Sequence, residues 1–434
     1  MDIYDAFYRR RLYCLRERGL LPDMARHLDT CRRGGAAPAE VTALFRDCQA
    51  LFSLAEKLGV EGNLWQAYLT WEILRDENPF ALSCEGRGDT GGTLSRLALH
   101  DMECFLKLFR YDFSDLPDGL GAEFESILRY RTGGRRCPYL KNRAGALVRQ
   151  MRDKLAASKD AGEALAAVTE FCRVHGAGDF GLHHAFRLDG SGGHPKIKPL
   201  TCVDSVSLSG IVGCEEQKKR LTENTEAFLA GKPANHVLLY GDGGTGKSTC
   251  VRSLLSEYAD TPLRLIELGK PLLSELPRLI GEIKDRNYRF IIFIDDLSFE
   301  EHETEYKHLK AVIEGGLETM PENIRIYATS NRRHIVRETW NDKSDMEHTG
   351  DVHRSDTVEE KLSLVSRFGV AINFSAPNRK QYHAIVRTLA AKQLPFPIDD
   401  GALITGANAW EIRHGGVSGR TAQQYIDYLA GKAE

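Results

Sequence analysis

The chain lacks the features of secreted, membrane and zinc-finger proteins. Its 434 residues contain no apolar run approaching the roughly 18 residues that a membrane helix needs. The first residues, MDIYDAFYRRRLYC, place acids before arginines and contain no apolar stretch of a secretory signal. Ten cysteines, all in the first 250 residues, form no C-x-x-C pair. We therefore expect no structural zinc site, no membrane association, and reduced thiols in the cytoplasm.

The sequence also lacks a strong charge of one sign and any internal repeat. Its formal net charge of −3 makes the whole protein a poor binder of polyanions. No self-similarity appears at the periods of solenoid proteins. The length is too great for one ordinary domain, and it suggests two or three.

The hydrophobic patterns divide the chain into four segments. We predict a mostly helical N-terminal domain over 1–184, a Gly/Pro/Ser-rich linker over 185–204, an α/β core over 205–376 and a helical lid over 377–434. In the core, β-branched runs alternate with helical patterns, which indicates a parallel sheet covered by helices on both faces. The predicted strands are 236–241, 263–268, 289–295, 324–330 and 369–374. The predicted helices are 247–258, 274–286, 303–315, 358–366, 378–392 and 418–430.

A glycine-rich loop follows the first predicted strand of the core. It satisfies G-x-x-x-x-G-K-[ST], and a helical pattern begins directly after it. Such a loop turns its N–H groups toward phosphate oxygens, and the helix N-terminus adds partial positive charge. Lys247 would reach the β- and γ-phosphates, and Ser248 would bind Mg²⁺. The loop predicts a nucleotide site made of Gly241, Asp242, Gly243, Gly244, Thr245, Gly246, Lys247, Ser248 and Thr249.

Two adjacent carboxylates end the third predicted strand, IIFIDD. Asp295 would hold Mg²⁺ through water and bind the Ser248 hydroxyl, and Asp296 would polarise the attacking water. A helix N-cap is the alternative for either acid. After the next strand, Asn331 is preferred over Thr329 as the side chain that contacts the γ-phosphate, because Asn331 lies past the strand end.

Three arginine-containing stretches follow. Arg367, before the last strand, would reach the nucleotide site of an adjacent subunit, with a surface ion pair as the alternative. Arg420, in the last helix behind a plausible Ser418 N-cap, would face the phosphates, or be an ordinary first-turn arginine. Residues 332–334, Arg-Arg-His, are either a subunit contact or a solvated turn.

These motifs, in this order, resemble those of the AAA+ superfamily. Residues 211–217, IVGCEEQ, which begin with Ile211 and Val212, resemble its box II, which lies over the adenine. More narrowly, the chain resembles a bacterial AAA+ family catalogued only as a domain of unknown function. The resemblance implies an αβα core with a five-stranded parallel sheet in the order 5-1-4-3-2, a small helical lid, ATP and Mg²⁺ as ligands, ATP hydrolysis, and homo-oligomeric assembly. It also implies that Asn331 is sensor 1, Arg367 an arginine finger acting in trans, and Arg420 sensor 2. Most AAA+ motors have Glu where this chain has Asp296.

Several functions remain open at this stage. The chain is either an ATPase that remodels or loads a macromolecule, or a nucleotide-dependent scaffold with slow or no hydrolysis. A DNA-associated ATPase is a third interpretation, because the segment 129–154 is rich in Arg and Lys. A solvated helix face is the alternative for that segment. Two other segments, Gly86–Gly91 (G-x-G-x-x-G) and 341–356, read as polar loops.

Overall fold

The structure is a computed structural model, and it describes thirteen ranges of the chain. The described residues are 9–10, 12–13, 20–34, 37–89, 91–114, 116, 121–131, 143–191, 193–201, 206–299, 305–314, 319–331 and 364–432. Two compact units result, Met1–His183 and His184–Glu434. Among the described residues, no helix is both long and apolar enough to cross a bilayer.

The first unit is helical, as its sequence patterns predict. Trp65, on the third helix, is fully buried and donates its indole N–H to the Leu108 carbonyl at 2.7 Å. Its ring meets Phe113 edge-on, so this aromatic pair ties the helix to the loop that follows Phe109. The helices in the described part of this unit are α1 Leu20–Gly34, α2 Pro38–Leu58, α3 Leu64–Arg75, α4 Pro79–Cys84, α5 Thr93–Phe109, α6 Gly121–Leu128, α7 Arg143–Ala157, α8 Ala161–His175 and α9 Gly178–Leu182.

The basic stretch of this unit is partly bonded to the unit itself. On α7, the guanidinium groups of Arg149 and Arg152 donate to the carbonyls of Gly59 and Glu61. Arg129 pairs with Glu125 one helical turn away. The backbone contacts favour a structural role for Arg149 and Arg152. Arg135 and Arg136 lie outside the described residues.

In the part of the second unit that the structure describes, seven strands form one sheet. Its order is β2-β1-β4-β5-β6-β3-β7, with all neighbours parallel except the antiparallel pair β1 and β2. Numbered along the core, the five strands β3 to β7 run 5-1-4-3-2, as the AAA+ resemblance implies. The strands are β1 Ala185–Asp189, β2 Lys196–Pro199, β3 Val237–Gly241, β4 Leu263–Glu267, β5 Arg289–Ile294, β6 Ile324–Ser330 and β7 Val370–Phe374.

The sheet therefore has two more strands than the five predicted, and the predicted linker is wrong over much of its length. Within it, β1 and β2 pair antiparallel as a hairpin. The Ala185–Arg187 segment of β1 lies parallel to Leu265–Glu267 of β4 and extends the sheet at that edge. Backbone hydrogen bonding to β4 fixes this segment to the core, which a linker would leave free.

Helices cover the sheet and form the lid. Ile291 and Phe293 of β5 pack with Val251 and Leu254 on one face, and Ile292 lies buried on the other. The α-helices are α10 Glu215–Leu229, α11 Lys247–Glu257, α12 Leu276–Ile283, α13 Tyr306–Glu314, α14 Arg379–Gln393, α15 Asp400–Arg413 and α16 Gly419–Ala430, and 3₁₀ turns occur at Leu208–Gly210 and Lys270–Glu275.

The last three of these helices share a small core of their own. Tyr382, Leu403 and Ile426, one from each helix, are buried together. Ser418 is the N-cap of α16, as predicted, and its hydroxyl accepts the Thr421 N–H. The predicted loop 341–356, residues 332–334 and most of the predicted helix 358–366 lie outside the described residues.

Candidate nucleotide site

The glycine-rich loop joins β3 to α11 at the carboxyl edge of the sheet. Gly241 has φ of 126°, and a Cβ there would lie 2.2 Å from the Phe374 carbonyl oxygen, so the chain accepts only glycine at this point. Thr245 Oγ1 donates to the Asp242 carbonyl at 2.9 Å and closes the loop on itself. The predicted loop is thus a compact turn directly before a helix N-terminus, the geometry that binds phosphate.

Lys247 is buried inside this loop. Its ammonium donates to the carbonyl oxygens of Gly241 at 2.9 Å and of Asp242 at 2.6 Å. Among the described residues, it forms no ion pair with a carboxylate. Burial lowers the pKa of the Lys247 ammonium, and the nearby carboxylates of Asp242, Asp296 and Asp295 oppose that shift. A buried cation bonded only to neutral carbonyls is matched to an anionic ligand.

The Asp295 carboxylate is tied to two neighbouring hydroxyls. Oδ1 accepts from Ser248 Oγ at 2.5 Å and from Thr329 Oγ1 at 2.6 Å. Since Ile294 lies opposite Ala328 in the sheet, the next residues, Asp295 and Thr329, meet at the strand tips. The predicted contact between Asp295 and Ser248 is therefore present.

A fourth side chain completes this cluster. Arg252 lies one turn after Ser248 on α11, and its Nη2 donates to Asp295 Oδ2 at 2.9 Å. Its guanidinium also lies 6.0 Å from the centre of the Phe293 ring. Both oxygens of Asp295 are therefore engaged by donors.

Asp296 is held in an unusual backbone conformation. Its φ of 53° is in the left-handed region, which costs roughly 1 kcal/mol for a non-glycine residue. Its N–H donates to Thr329 Oγ1 at 2.9 Å, and its Oδ1 accepts from Asn331 Nδ2 at 2.8 Å. The second acid and the predicted sensor residue thus contact each other directly, and Asp296 is not a helix N-cap.

One wall of the site is the segment before α10. The Lys218 ammonium donates to the Ile211 carbonyl at 2.8 Å and pairs with Glu215 at 2.7 Å. Cys214 turns the chain into the helix with φ of 59°. These contacts fix the predicted residues Ile211 and Val212 at the edge of the cavity.

The lid contacts the loop from the opposite side. The Arg420 N–H donates to the Gly244 carbonyl at 3.3 Å, and a Cβ on Gly244 would lie 3.1 Å from both Arg420 Cβ and Ser418 Oγ. Further along, the Asp242 carboxylate accepts the Ala376 N–H at 2.7 Å, where the chain leaves β7 for the lid. The loop therefore touches both the lid and the segment that connects it.

These elements enclose a cavity of about 780 Å³, within the range of small-molecule sites. Its lining includes most of the predicted site residues, namely Ile211, Val212, Gly244, Thr245, Gly246, Lys247, Ser248, Thr249, Asp295, Asp296, Asn331 and Arg420. Gly241, Asp242 and Gly243 form the first half of the loop and do not line it. Arg367 does not line it either, and pairs instead with Glu314 at 3.1 Å.

Sequence reasoning missed three contributions to this cavity. The sequence favours Asn331 over Thr329 as the side chain that contacts the γ-phosphate. The side-chain alternation of β6 indicates nevertheless that the Thr329 hydroxyl lies beside Asp295. Arg252 could have been found from its i,i+4 relation to Ser248. The lid also supplies Gln381, Ile385, Leu389 and Gln423, for which the helical pattern carries no distinguishing signal.

The residues present fit a nucleoside triphosphate and a magnesium ion. The buried Lys247 and the loop suit phosphate oxygens, and the apolar side chains of Ile211, Ile385 and Leu389 suit a base. One hydroxyl and one carboxylate, Ser248 and Asp295, match the few protein ligands that Mg²⁺ takes beside phosphate and water.

Comparison with known proteins gives a family without an assigned role. A family model described as "Protein of unknown function (DUF815)" matches residues 181–433. The match starts three residues before the second unit and includes the β1–β2 hairpin.

Curated relatives match the chain in part. The 26S proteasome regulatory subunit 4 homolog of Encephalitozoon cuniculi (strain GB-M1) is 33% identical over 115 residues, which are 23% of this chain and 27% of that protein. The 26S proteasome regulatory subunit 6B homolog of Schizosaccharomyces pombe is 24% identical over 213 residues, which are 44% of this chain and 50% of that protein. The chain thus spans between about a quarter and half of the length of these relatives.

Solved structures also resemble the chain. The FIGL-1 AAA domain in complex with ADP has a TM-score of 0.36 and 18% identity, over 53% of this chain and 74% of that one. The Thermotoga maritima RuvB Holliday junction branch migration motor has a TM-score of 0.33 and 15% identity. The match covers 51% of this chain and 72% of that one.

The family match covers more than half of the chain, and the strand order of the core is the one expected for AAA+ proteins. The chain therefore belongs to the DUF815 family, and its second unit carries an AAA+ α/β core.

Proposed function

We propose that the protein binds Mg-ATP and hydrolyses it to ADP and phosphate in order to act on a macromolecule. The observation that carries this proposal is the contact of Ser248 Oγ with Asp295 Oδ1 at 2.5 Å, beside the buried Lys247. P-loop enzymes hold Mg²⁺ with a hydroxyl and a carboxylate in this relation.

Each residue has a role in the proposal. Lys247 and the loop would bind the β- and γ-phosphates, and Arg420 would reach the γ-phosphate from the lid. Ser248 and Asp295 would hold the metal ion. A bound Mg²⁺ supplies positive charge to the phosphate oxygens. Ile211 and Val212 would contact the base.

The proposed reaction needs one base and one water. The water oxygen forms a bond to the γ-phosphorus as the bond from that phosphorus to the β–γ bridging oxygen breaks, and the electron pair stays on ADP. Asp296 would accept the water proton, and Asn331 would orient the water. Arg367, half exposed in its pair with Glu314, would stabilise the developing charge in a neighbouring copy of this chain.

Steady-state phosphate release tests the proposal. We expect turnover in the wild-type chain, none in Lys247→Ala, and turnover lowered at least about a hundredfold in Asp296→Asn with ATP binding kept. Lys232→Ala, which removes an exposed lysine outside the cavity, is the matched control. If the wild-type chain neither binds nor cleaves ATP, the proposal is wrong.

A scaffold that hydrolyses slowly is the second candidate, and one observation favours it. The Asp296 carboxylate is already engaged by Asn331 at 2.8 Å, and Asp is one methylene shorter than the usual Glu. A base held in this way would be a poor acceptor for the water proton. ATP-dependent assembly without measurable phosphate release would support the scaffold and exclude the motor.

A role on DNA has less support from the described residues. Arg149 and Arg152 donate to backbone carbonyls of their own unit, which leaves them less available to phosphates. A salt-titrated DNA-binding assay with Arg135→Ala and Arg136→Ala tests this third candidate. Unchanged affinity in the double variant would exclude the basic stretch as the binding surface.

A further inference from the structure

The Arg252 guanidinium occupies a position beside the metal ligand Asp295. It donates to Oδ2 at 2.9 Å, while Ser248 and Thr329 donate to Oδ1. Both oxygens of the carboxylate therefore accept hydrogen bonds from side chains. Within the described part of the chain, Asp295 is the one carboxylate bonded to Arg252.

The helix and the strand together fix this arrangement. Ser248 and Arg252 are four residues apart on α11, so both side chains point from one helix face toward the tip of β5. The Phe293 ring, two residues before Asp295 on the same face of β5, lies under the guanidinium. Arg252 also lines the cavity, with 40% of its side chain exposed, so it can leave the carboxylate without unfolding the helix.

From this geometry we propose that Arg252 is a positioning residue that competes with a divalent cation for Asp295. The ion pair of Arg252 with Oδ2 offsets the charge of Asp295, and the bond from Ser248 to Oδ1 keeps the two residues together. When a cation binds there, its two positive charges add to that of the guanidinium, and one carboxylate offsets only part of the sum. The phosphates of the nucleotide supply the remaining negative charge, so the metal binds well only together with nucleotide. This inference rests on the proposed nucleotide site.

The competition predicts a specific change in metal dependence. ATP binding tightens as Mg²⁺ is added, and the half-maximal Mg²⁺ concentration is the quantity compared. Arg252→Gln removes the charge and lowers that concentration by about two- to fivefold, the range expected for a partly exposed ion pair. Arg252→Lys keeps a cation at the site and retains a value near that of the wild type. A residue that merely supported the fold would change ATP affinity equally with and without Mg²⁺.

The experiment measures the Kd of a fluorescent ATP analogue by anisotropy, first in EDTA and then across a Mg²⁺ titration. The wild-type chain is compared with Arg252→Gln, Arg252→Met and Arg252→Lys. Arg252→Met keeps an apolar contact over Phe293 and replaces Arg252→Gln if that variant does not fold. Arg278→Gln removes one positive charge from an exposed pair with Glu275 and controls for net charge.

The outcomes separate this inference from the proposed function. A lower half-maximal Mg²⁺ concentration in Arg252→Gln or Arg252→Met supports the competition, provided that Arg252→Lys and Arg278→Gln keep the wild-type value. ATP binding with one Mg²⁺ dependence in all variants overturns the competition and leaves the nucleotide site standing. Wild-type chain that binds no ATP in either condition overturns both.

Discussion

Asn331 Nδ2 donates to Asp296 Oδ1 at 2.8 Å, so the residue after β6 holds the second acid of β5. Asp296 is fixed from two sides, because its N–H also donates to Thr329 Oγ1. These two bonds stabilise a backbone conformation that aspartate seldom adopts. The orientation of the proposed base thus depends on a neighbouring strand.

Replacing Asn331 tests that dependence. In Asn331→Ala we expect phosphate release to fall at least about tenfold, since a misdirected base loses part of the 10²–10⁴-fold that such a group contributes. ATP affinity should stay within about threefold of wild type, because Lys247 and the loop are untouched. Asn408→Ala, whose side chain contacts His383 in the lid, is the matched control. Faster turnover in Asn331→Ala would mean that Asn331 restrains Asp296.

Thr329→Val removes a hydroxyl and keeps the shape of the side chain. The Thr329 hydroxyl is buried and bonds both Asp295 Oδ1 and the Asp296 N–H. Without it, the N–H loses its partner, and we expect the free energy of unfolding to fall by about 1–3 kcal/mol. Urea unfolding measures this change. Thr388→Val, at an exposed hydroxyl on α14, should change it by less than about 0.5 kcal/mol.

Arg367→Ala tests whether one copy of the chain supplies Arg367 to the nucleotide site of a neighbouring copy. We expect it to lose about a hundredfold or more of its turnover while still binding ATP. When it is mixed with Lys247→Ala, the intact Arg367 of the second variant should serve the intact loop of the first and restore measurable phosphate release. Glu314→Gln, which removes the acid that pairs with Arg367 and with Lys310, should keep its turnover. A mixture without activity would argue against action in trans.

His236 makes the stability of the second unit depend on pH. Burial, with the positive charge of Arg325 beside it, lowers the pKa of His236 from 6.5 to about 4, and its Nδ1 accepts the Ile326 N–H at 2.9 Å. The folded state favours the neutral ring, so its contribution is complete above pH 6.5 and is lost as pH falls toward 4.

The measurement is thermal unfolding at pH 7 and pH 5. One histidine accounts for a slope of at most about 1.4 kcal/mol per pH unit. His236→Asn keeps an acceptor that does not titrate in this range, so we expect its Tm to fall less between the two pH values than that of the wild-type chain. An equal fall in both would show that other groups carry the pH dependence.

The sequence was sufficient for the parts of the site that depend on local pattern. A strand, a glycine-rich turn and a helix follow one another at the loop, and a buried apolar run ends at Asp295. Each of these signals lies within a dozen residues. The helical lid and the five core strands could be predicted for the same reason.

The remaining parts depend on pairing between distant segments. Residues 190–193, Gly-Ser-Gly-Gly, have the composition of a linker and also that of a hairpin turn. β1 joins the core sheet by pairing with β4, which begins at Leu263. No residue near β1 in the sequence indicates this pairing. The alternation of β6 and the i,i+4 spacing of α11 make Thr329 and Arg252 candidates, and the pairing of β5 with β6 and the packing of α11 bring both side chains to Asp295.

The β1–β2 hairpin decides where this protein can be divided for separate study. A fragment that starts at residue 205 would expose the edge of β4, where Leu263 and Leu265 are buried, and open apolar edges recruit other chains. A fragment from His184 keeps β4 covered and ends the sheet in β2, whose Lys196 and Lys198 are exposed and discourage further pairing. A fragment of the second unit should therefore begin before the hairpin, where the compact unit starts, and the two exposed lysines disfavour pairing at its outer edge.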